Sequence, residues 1–330
     1  MYYKKTFIQS KGGITLNTYL VTGGAGFIGS HLVHALLKQG KKVKVLDNLY
    51  SGKEENLKGV LQDIRLIIGD ITDYHTVKNA LKGVDVVYHL AAVPSVPRSI
   101  VNPLLSNKVN IMGTLQLLHV AVELNVRRFI YSSSSSIYGN SNFIIKKENM
   151  APSPLSPYAI SKYTGELYCK TFYELYGLET ISLRYFNVFG PKQDSQSEFA
   201  AVIPKFITTI LQNHSPIIYG DGTQTRDFTY VDNVVSANLL ASEVEKLYGE
   251  VINIGCGNGI TLNRLVDNIN LMLGQQTIST YMERKKGDVR HSIADLHKAE
   301  SLLSYKPLIS FDEGLKSTIQ WYKENFYKKK

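Results

Sequence analysis

Hydrophobic positions along this chain keep two rhythms. Short runs rich in apolar residues, the mark of strands in a sheet covered on both faces, occur at 18–22, 42–46, 64–68, 84–89, 127–132 and 180–185. Between them lie stretches whose apolar residues recur at helical spacing: Ile28, Leu32, Ala35 and Leu36 in the first, then 73–81, 102–124 and 157–176. Strand alternating with helix predicts an α/β chain built on a doubly wound parallel sheet, because parallel neighbours need a crossover and a helix is the usual one. The rhythm breaks near Val188, where runs shorten and turn residues multiply, as in Gly220-Asp221-Gly222 and Gly255-Cys256-Gly257-Asn258-Gly259. A second, smaller domain is expected from there on, entered by the chain more than once. Residues 1–17 carry no clear period and read as an N-terminal extension.

Chemistry enters at the first turn of this pattern. Gly23-Gly24-Ala25-Gly26-Phe27-Ile28-Gly29 sits between the first strand and the first helix. In that place Gly23 permits a tight turn, Gly26 lets the backbone approach a pyrophosphate, and Gly29 allows close helix–strand packing, while the helix N-terminus attracts the anion. This is the dinucleotide loop of a Rossmann-type sheet. The second strand ends at Asp47, with Asn48 rather than an arginine beside it. A carboxylate there accepts hydrogen bonds from both ribose hydroxyls and repels a 2'-phosphate, which favours NAD over NADP.

Farther along, Ser132-Ser133-Ser134-Ser135-Ser136 ends the fifth strand, where a parallel sheet presents its ligand groups, and Ser156-Pro157-Tyr158-Ala159-Ile160-Ser161-Lys162 opens a helix. Tyr158 and Lys162 are four apart and share one face. A free tyrosine has a pKa near 10, so a phenolate at neutral pH takes about 4 kcal/mol of environmental help, part of which an adjacent ammonium supplies. The spacing by itself also suits an ordinary helix pair, and the serines also suit a strand end satisfying its own backbone. The glycine loop upstream is what raises the catalytic reading.

Composition narrows the setting. The chain is 44% hydrophobic and 20% charged, ordinary for a soluble globular protein. No apolar run approaches the ~20 residues of a membrane helix, and residues 1–17 lack the apolar middle of a signal peptide, so a cytoplasmic protein without membrane contact is expected. Cys169 and Cys256 show neither metal spacing nor a disulfide framework and read as packing residues; no metal is expected. A net charge of +9 suits nucleic acid, yet the basic residues are scattered, with dense clusters only at Arg284-Lys285-Lys286 and Lys328-Lys329-Lys330. A phosphate-bearing small substrate accounts for the bias, and no nucleic-acid partner is expected.

Glycine loop, serine strand and Tyr158/Lys162 helix together resemble the extended short-chain dehydrogenase/reductase family, over about residues 18–327. Ser95-Val96-Pro97-Arg98-Ser99-Ile100, Arg184-Tyr185-Phe186-Asn187-Val188-Phe189-Gly190 and Gly287-Asp288-Val289-Arg290-His291-Ser292 resemble its UDP-sugar 4-epimerases, above all those of UDP-N-acetylglucosamine and UDP-N-acetylgalactosamine. The resemblance implies Tyr158 as base, Lys162 as the group that holds the nicotinamide ribose and lowers the tyrosine pKa, and Ser134 as the group that orients the reacting hydroxyl. Around NAD it implies Phe27, Ile28, Asp70, Ile71, Leu90, Ala91, Ala92, Ser132 and Tyr185, with Asn110 holding the site's architecture. On the UDP-sugar it implies Ser95, Ser135 and Gln193, Asn187 and Arg226 at the diphosphate, Tyr219 and the backbone near Val202 at the uracil, and Asp288 at the uridine ribose. Asp70 also suits a helix cap, and Arg226 also suits a salt bridge to Asp227 or Asp221.

The departures matter as much. Lys285 stands where the family has an arginine phosphate clamp, with Arg284 beside it as the other candidate, and Pro94 replaces a frequent glycine. Ser292 occupies the position of a tyrosine in epimerases restricted to glucose and galactose, which leaves room for a 2-acetamido group. Ser135 and Ser136 replace the acid of the dehydrating members, so the 4-keto sugar is expected to take its hydride back on the other face. Plain UDP-hexoses, UDP-uronates met by Arg98, Arg290 or His291, a dehydratase or oxidoreductase, and a non-catalytic dinucleotide sensor are the alternatives. Intact Tyr158, Lys162 and Ser134 argue against the sensor. The resemblance further implies that 18–187 and a returning segment 229–258 bind NAD, that 188–228 and 259–330 bind the UDP-sugar, and that helices 102–124 and 157–176 pair in a homodimer.

Overall fold

The computed structural model describes residues 18–141, 143–195, 200–284 and 289–326. Every strand expected from the apolar runs forms, and all of them join one sheet. From edge to edge its order is Glu250–Ile254, Glu179–Tyr185, Arg128–Ser134, Val86–His89, Thr18–Thr22, Lys42–Asp47, Ile64–Ile68. All pairings within it are parallel. Most of the runs are rich in apolar residues because helices cover both faces of the sheet. On one side Val21 and Val45 pack with Leu32 and Leu36 of helix Phe27–Lys38 and with Val234 and Ala241 of helix Val231–Glu243. On the other, Leu20 and Phe129 meet Leu117 and Leu118 of helix Thr114–Glu123 and Cys169 and Phe172 of helix Pro157–Tyr176.

Three local departures from the sequence reading bear on the site. The serine strand runs on to Ser134, past its apolar run, because its last residues pair with Leu183, Arg184 and Tyr185. The segment 95–100, read as loop, is helical over Val96–Val101, with the Ser95 side chain capping it. The long helix at 102–124 changes register inside. It is α-helical over Pro103–Asn107, widens to a π-turn over Lys108–Gly113, and resumes as α-helix over Thr114–Glu123. The wider turn lies where Asn110 is buried, 1% exposed.

A second core gathers Ile203, Phe206 and Ile207 of helix Val202–Leu211, Leu265 and Ile269 of helix Leu262–Leu273, and Leu315 and Ile319 of helix Phe311–Phe326. Beside it stands a small sheet in the order Ile260–Thr261, Thr225–Arg226, His291–Ala294, Ile145–Lys146. Among the described residues no helix is long and apolar enough to cross a membrane. The extension expected at 1–17 lies outside the described residues.

Candidate active site

The carboxyl ends of the central strands open on a cavity of about 650 Å³. Its first wall is the glycine loop. Gly23 has φ +69°, and a Cβ there would stand 2.7 Å from the Ala91 nitrogen. A Cβ on Gly29 would come within 2.1 Å of the Gly23 carbonyl oxygen, so the helix lies against the turn only because this residue has none. Gly26 caps the helix with no side chain over its N-terminus.

Asp47 closes the second strand with its carboxylate already oriented. Oδ2 accepts from the Ala25 N–H at 2.9 Å and Oδ1 from the Leu49 N–H at 2.8 Å. Burial pushes its pKa up, and these backbone bonds pull it back. Asn48 donates from Nδ2 to Asp70 Oδ2 at 3.0 Å, while Asp70 Oδ1 accepts from Thr72 N–H at 2.8 Å. The helix cap is Asp73, whose carboxylate accepts from the His75 and Thr76 N–H groups, so the alternative of Asp70 as cap is corrected. Gly23, Gly26, Phe27, Ile28, Gly29, Asp47, Asn48, Asp70, Ile71, Leu90, Ala91 and Ala92 all line the cavity. A turn too tight for any Cβ, an oriented acid and a long apolar trough fit NAD, and these are the residues that could hold it.

At the far end, Ser132, Tyr158, Lys162 and Tyr185 line the same cavity. Ser156 caps the helix through the Ala159 N–H at 3.1 Å, with Pro157 in its first turn. The Tyr158 N–H donates to Ser99 Oγ at 3.0 Å. Lys162 Nζ donates to the Ser132 carbonyl at 2.8 Å and stands 5.0 Å from the Tyr131 ring centre and 6.0 Å from that of Tyr158. Burial brings the Lys162 ammonium down to about 8, opposed by Cys169 and Glu166. Burial also raises the Tyr158 pKa, opposed by its hydrogen bond with Ser134.

Asn110 does not line the cavity. Its Oδ1 accepts from the Val93 N–H at 2.8 Å and its Nδ2 donates to Ser161 Oγ at 3.0 Å, which ties the loop after Ala92 to the Tyr158 helix. A buried relay runs beside it. Thr114 Oγ1 donates to the Asn110 carbonyl at 2.7 Å, so it accepts from His89 Nε2–H at 2.8 Å, and His89 Nδ1 accepts from Thr22 Oγ1 at 2.8 Å. Burial takes the His89 pKa down to about 3, which keeps the ring neutral for this arrangement.

The substrate end is less gathered. Ser95 and Gln193 line the cavity, and so do Arg98, Tyr50, Ser51 and Asp194. Of these, Tyr50, Ser51 and Asp194 carried no sequence expectation; Gly52, whose Cβ would lie 2.9 Å from both Asp47 oxygens, was the available signal for the 50–52 loop. Ser134 and Ser135 stand outside the walls because the strand ends there and turns through Ser135–Tyr138, with Ser134 Oγ accepting from the Ser136 N–H at 3.2 Å. Asn187, Val202, Tyr219, Arg226 and Ser292 also lie outside them. Arg226 Nη1 donates to the Thr225 carbonyl at 3.0 Å. The Asp227 carboxylate is turned inward to the N–H groups of Cys256, Gly257 and Ala294. Ser292, 8% exposed, pairs with Arg226 across parallel strands. Lys285 and Asp288 lie outside the described residues.

Residues 19–255 match the NAD dependent epimerase/dehydratase family. The chain belongs to that family. NAD is therefore its cofactor, in keeping with the glycine turn and Asp47. The chain is similar to a UDP-N-acetylglucosamine 4-epimerase from Methanobrevibacter ruminantium, solved in complex with UDP-N-acetylmuramic acid, at 44% identity and a TM-score of 0.90, covering 94% of this chain and 99% of that one. A putative UDP-glucose 4-epimerase of Methanocaldococcus jannaschii is 41% identical over 307 residues, 93% of this chain and 98% of that protein. The UDP-glucuronic acid 4-epimerase from Bacillus cereus, solved with UDP-glucuronic acid and NAD, is 33% identical with a TM-score of 0.87, covering 93% and 99%. Membership in the extended short-chain dehydrogenase/reductase group, expected from the three motifs, holds.

Proposed function

We propose that this enzyme is a UDP-sugar 4-epimerase that interconverts UDP-N-acetylglucosamine and UDP-N-acetylgalactosamine. The observation that carries the reading is the serine strand end: Ser134 hydrogen-bonds Tyr158, and Ser135 and Ser136 follow it in place of an acid. NAD, when bound, supplies a reversible hydride acceptor at C4 of the sugar. Tyr158 takes the proton of the 4-hydroxyl and later returns it, Ser134 orients that oxygen, and the Lys162 ammonium favours the ionised phenol. With no carboxylic acid after Ser134 to assist loss of water, the 4-keto sugar turns over and is reduced on its other face.

Within the same proposal, 18–187 with 229–258 hold NAD, and 188–228 with 259–330 hold the UDP-sugar through Asn187, Tyr219, Arg226 and Asp288, with Lys285 or Arg284 as the second diphosphate clamp. Similarity to a UDP-N-acetylglucosamine 4-epimerase and the small Ser292 support the N-acetylhexosamine pair. A uronate is the second reading, favoured by Arg98 in the cavity wall. The test is proton NMR of UDP-N-acetylglucosamine mixed with purified protein and no added cofactor. Appearance of UDP-N-acetylgalactosamine is expected, with kcat falling at least 100-fold in Tyr158→Phe. Turnover of UDP-glucuronate alone would move the assignment to the uronates.

A further inference from the structure

Beneath the serine strand end lies a buried charge pair that the reaction above does not use. Arg184 Nε donates to Glu166 Oε1 at 2.8 Å and Nη2 to Oε2 at 2.7 Å. Ser133 Oγ donates to the same Oε1 at 2.5 Å. Both ions are 3% exposed. Ser133 and Arg184 are paired neighbours on adjacent strands, so one carboxylate joins two strand ends to the helix that carries Tyr158 and Lys162.

Stability is a poor reason for such a pair, since burying two ions costs several kcal/mol each and apolar replacements often do as well. Placement is a better one. Tyr158, Lys162 and Glu166 follow at four-residue spacing along one helix face. The groups facing Lys162 are Glu166 and Cys169 on its own helix, the Tyr158 ring, the Tyr131 ring of the serine strand, and neutral His89 of the neighbouring strand. Glu166 is the carboxylate among them. Glu166 is faced in turn by Arg184, Ser133, Tyr131 and Cys169, and the Arg184 guanidinium lies 4.7 Å over the Tyr138 ring.

We propose that Glu166 is a positioning residue for the Tyr158/Lys162 pair: held by Arg184 and Ser133, it fixes the helix against the serine strand and sets a negative charge one turn from the Lys162 ammonium. This rests on the reading of Tyr158 and Lys162 as the catalytic pair. Replacing Glu166 by glutamine keeps the volume but removes the negative charge one turn from Lys162, so the lysine gives up its proton more readily.

The experiment is a pH titration of the Lys162 ¹³Cε resonance in lysine-labelled full-length protein, wild type against Glu166→Gln, beside the pH profile of kcat. The midpoint is expected to fall below that of the wild type, with the alkaline limb of kcat moving down equally and KM within about twofold. A merely structural residue would lower kcat at every pH and leave the midpoint in place, which overturns the proposal. The titration needs no substrate, so absence of epimerase turnover in the wild type would sink the functional reading without touching this one. If Glu166→Gln does not fold, Ser133→Ala decides: it keeps the ion pair and is expected to lower kcat about tenfold at unchanged KM, and an unchanged kcat refutes the positioning role.

Discussion

Lys162 shows most plainly what burying a charged residue costs. Its ammonium sits at about 8 in the fold against 10.5 in an open chain. The unfolded chain therefore binds more protons between those values, and stability rises with pH across that window. Wild type should gain about 3 kcal/mol relative to Lys162→Met between pH 7.5 and 10.5, read by urea unfolding at both ends. A parallel pH dependence in the two proteins would refute a depressed lysine. Spacing to Tyr158 made Lys162 legible in the sequence, as the glycine turn made Asp47 legible. Glu166 and Arg184 were not legible as a pair, because a charged residue in a helix or strand reads as a solvated position until its partner from another element is known. Asn110 was legible as a residue that holds the site's architecture, but its partners, Val93 and Ser161, were not.

At the scale of elements, the parallel strands were the easiest part to read: most are buried on both faces and leave a short run rich in apolar residues. The π-turn at Lys108–Gly113 left no such mark. It inserts a residue without changing composition, and its consequence is a buried asparagine that holds loop and helix together. Asn110→Ala leaves the Val93 N–H and carbonyl without these partners. The expected loss is about 3 kcal/mol of unfolding free energy, measured by urea denaturation; a loss under about 1 kcal/mol would mean that the loop is held by other contacts. The two-residue strands of the small sheet, such as Thr225–Arg226, escaped the sequence reading because a pattern of period two needs more than two residues to show.

For the whole molecule, the helices flanking the site present Leu104, Met112, Ile160 and Leu167 to the outside, between 48% and 82% exposed. We propose that this face pairs with a second copy. Sedimentation should then give twice 37.0 kDa, and Leu167→Glu should return the monomer mass; a wild type already monomeric refutes the pairing. In the proposed reaction the chain removes the hydrogen at C4 and returns it to the opposite face inside one turnover. This is tested most directly with UDP-N-acetylglucosamine deuterated at C4, in ordinary water without added cofactor, the product being examined by mass spectrometry. The expected product is UDP-N-acetylgalactosamine that retains its deuterium at C4. Product that has exchanged its deuterium with water, or a keto or dehydrated sugar in its place, would contradict it.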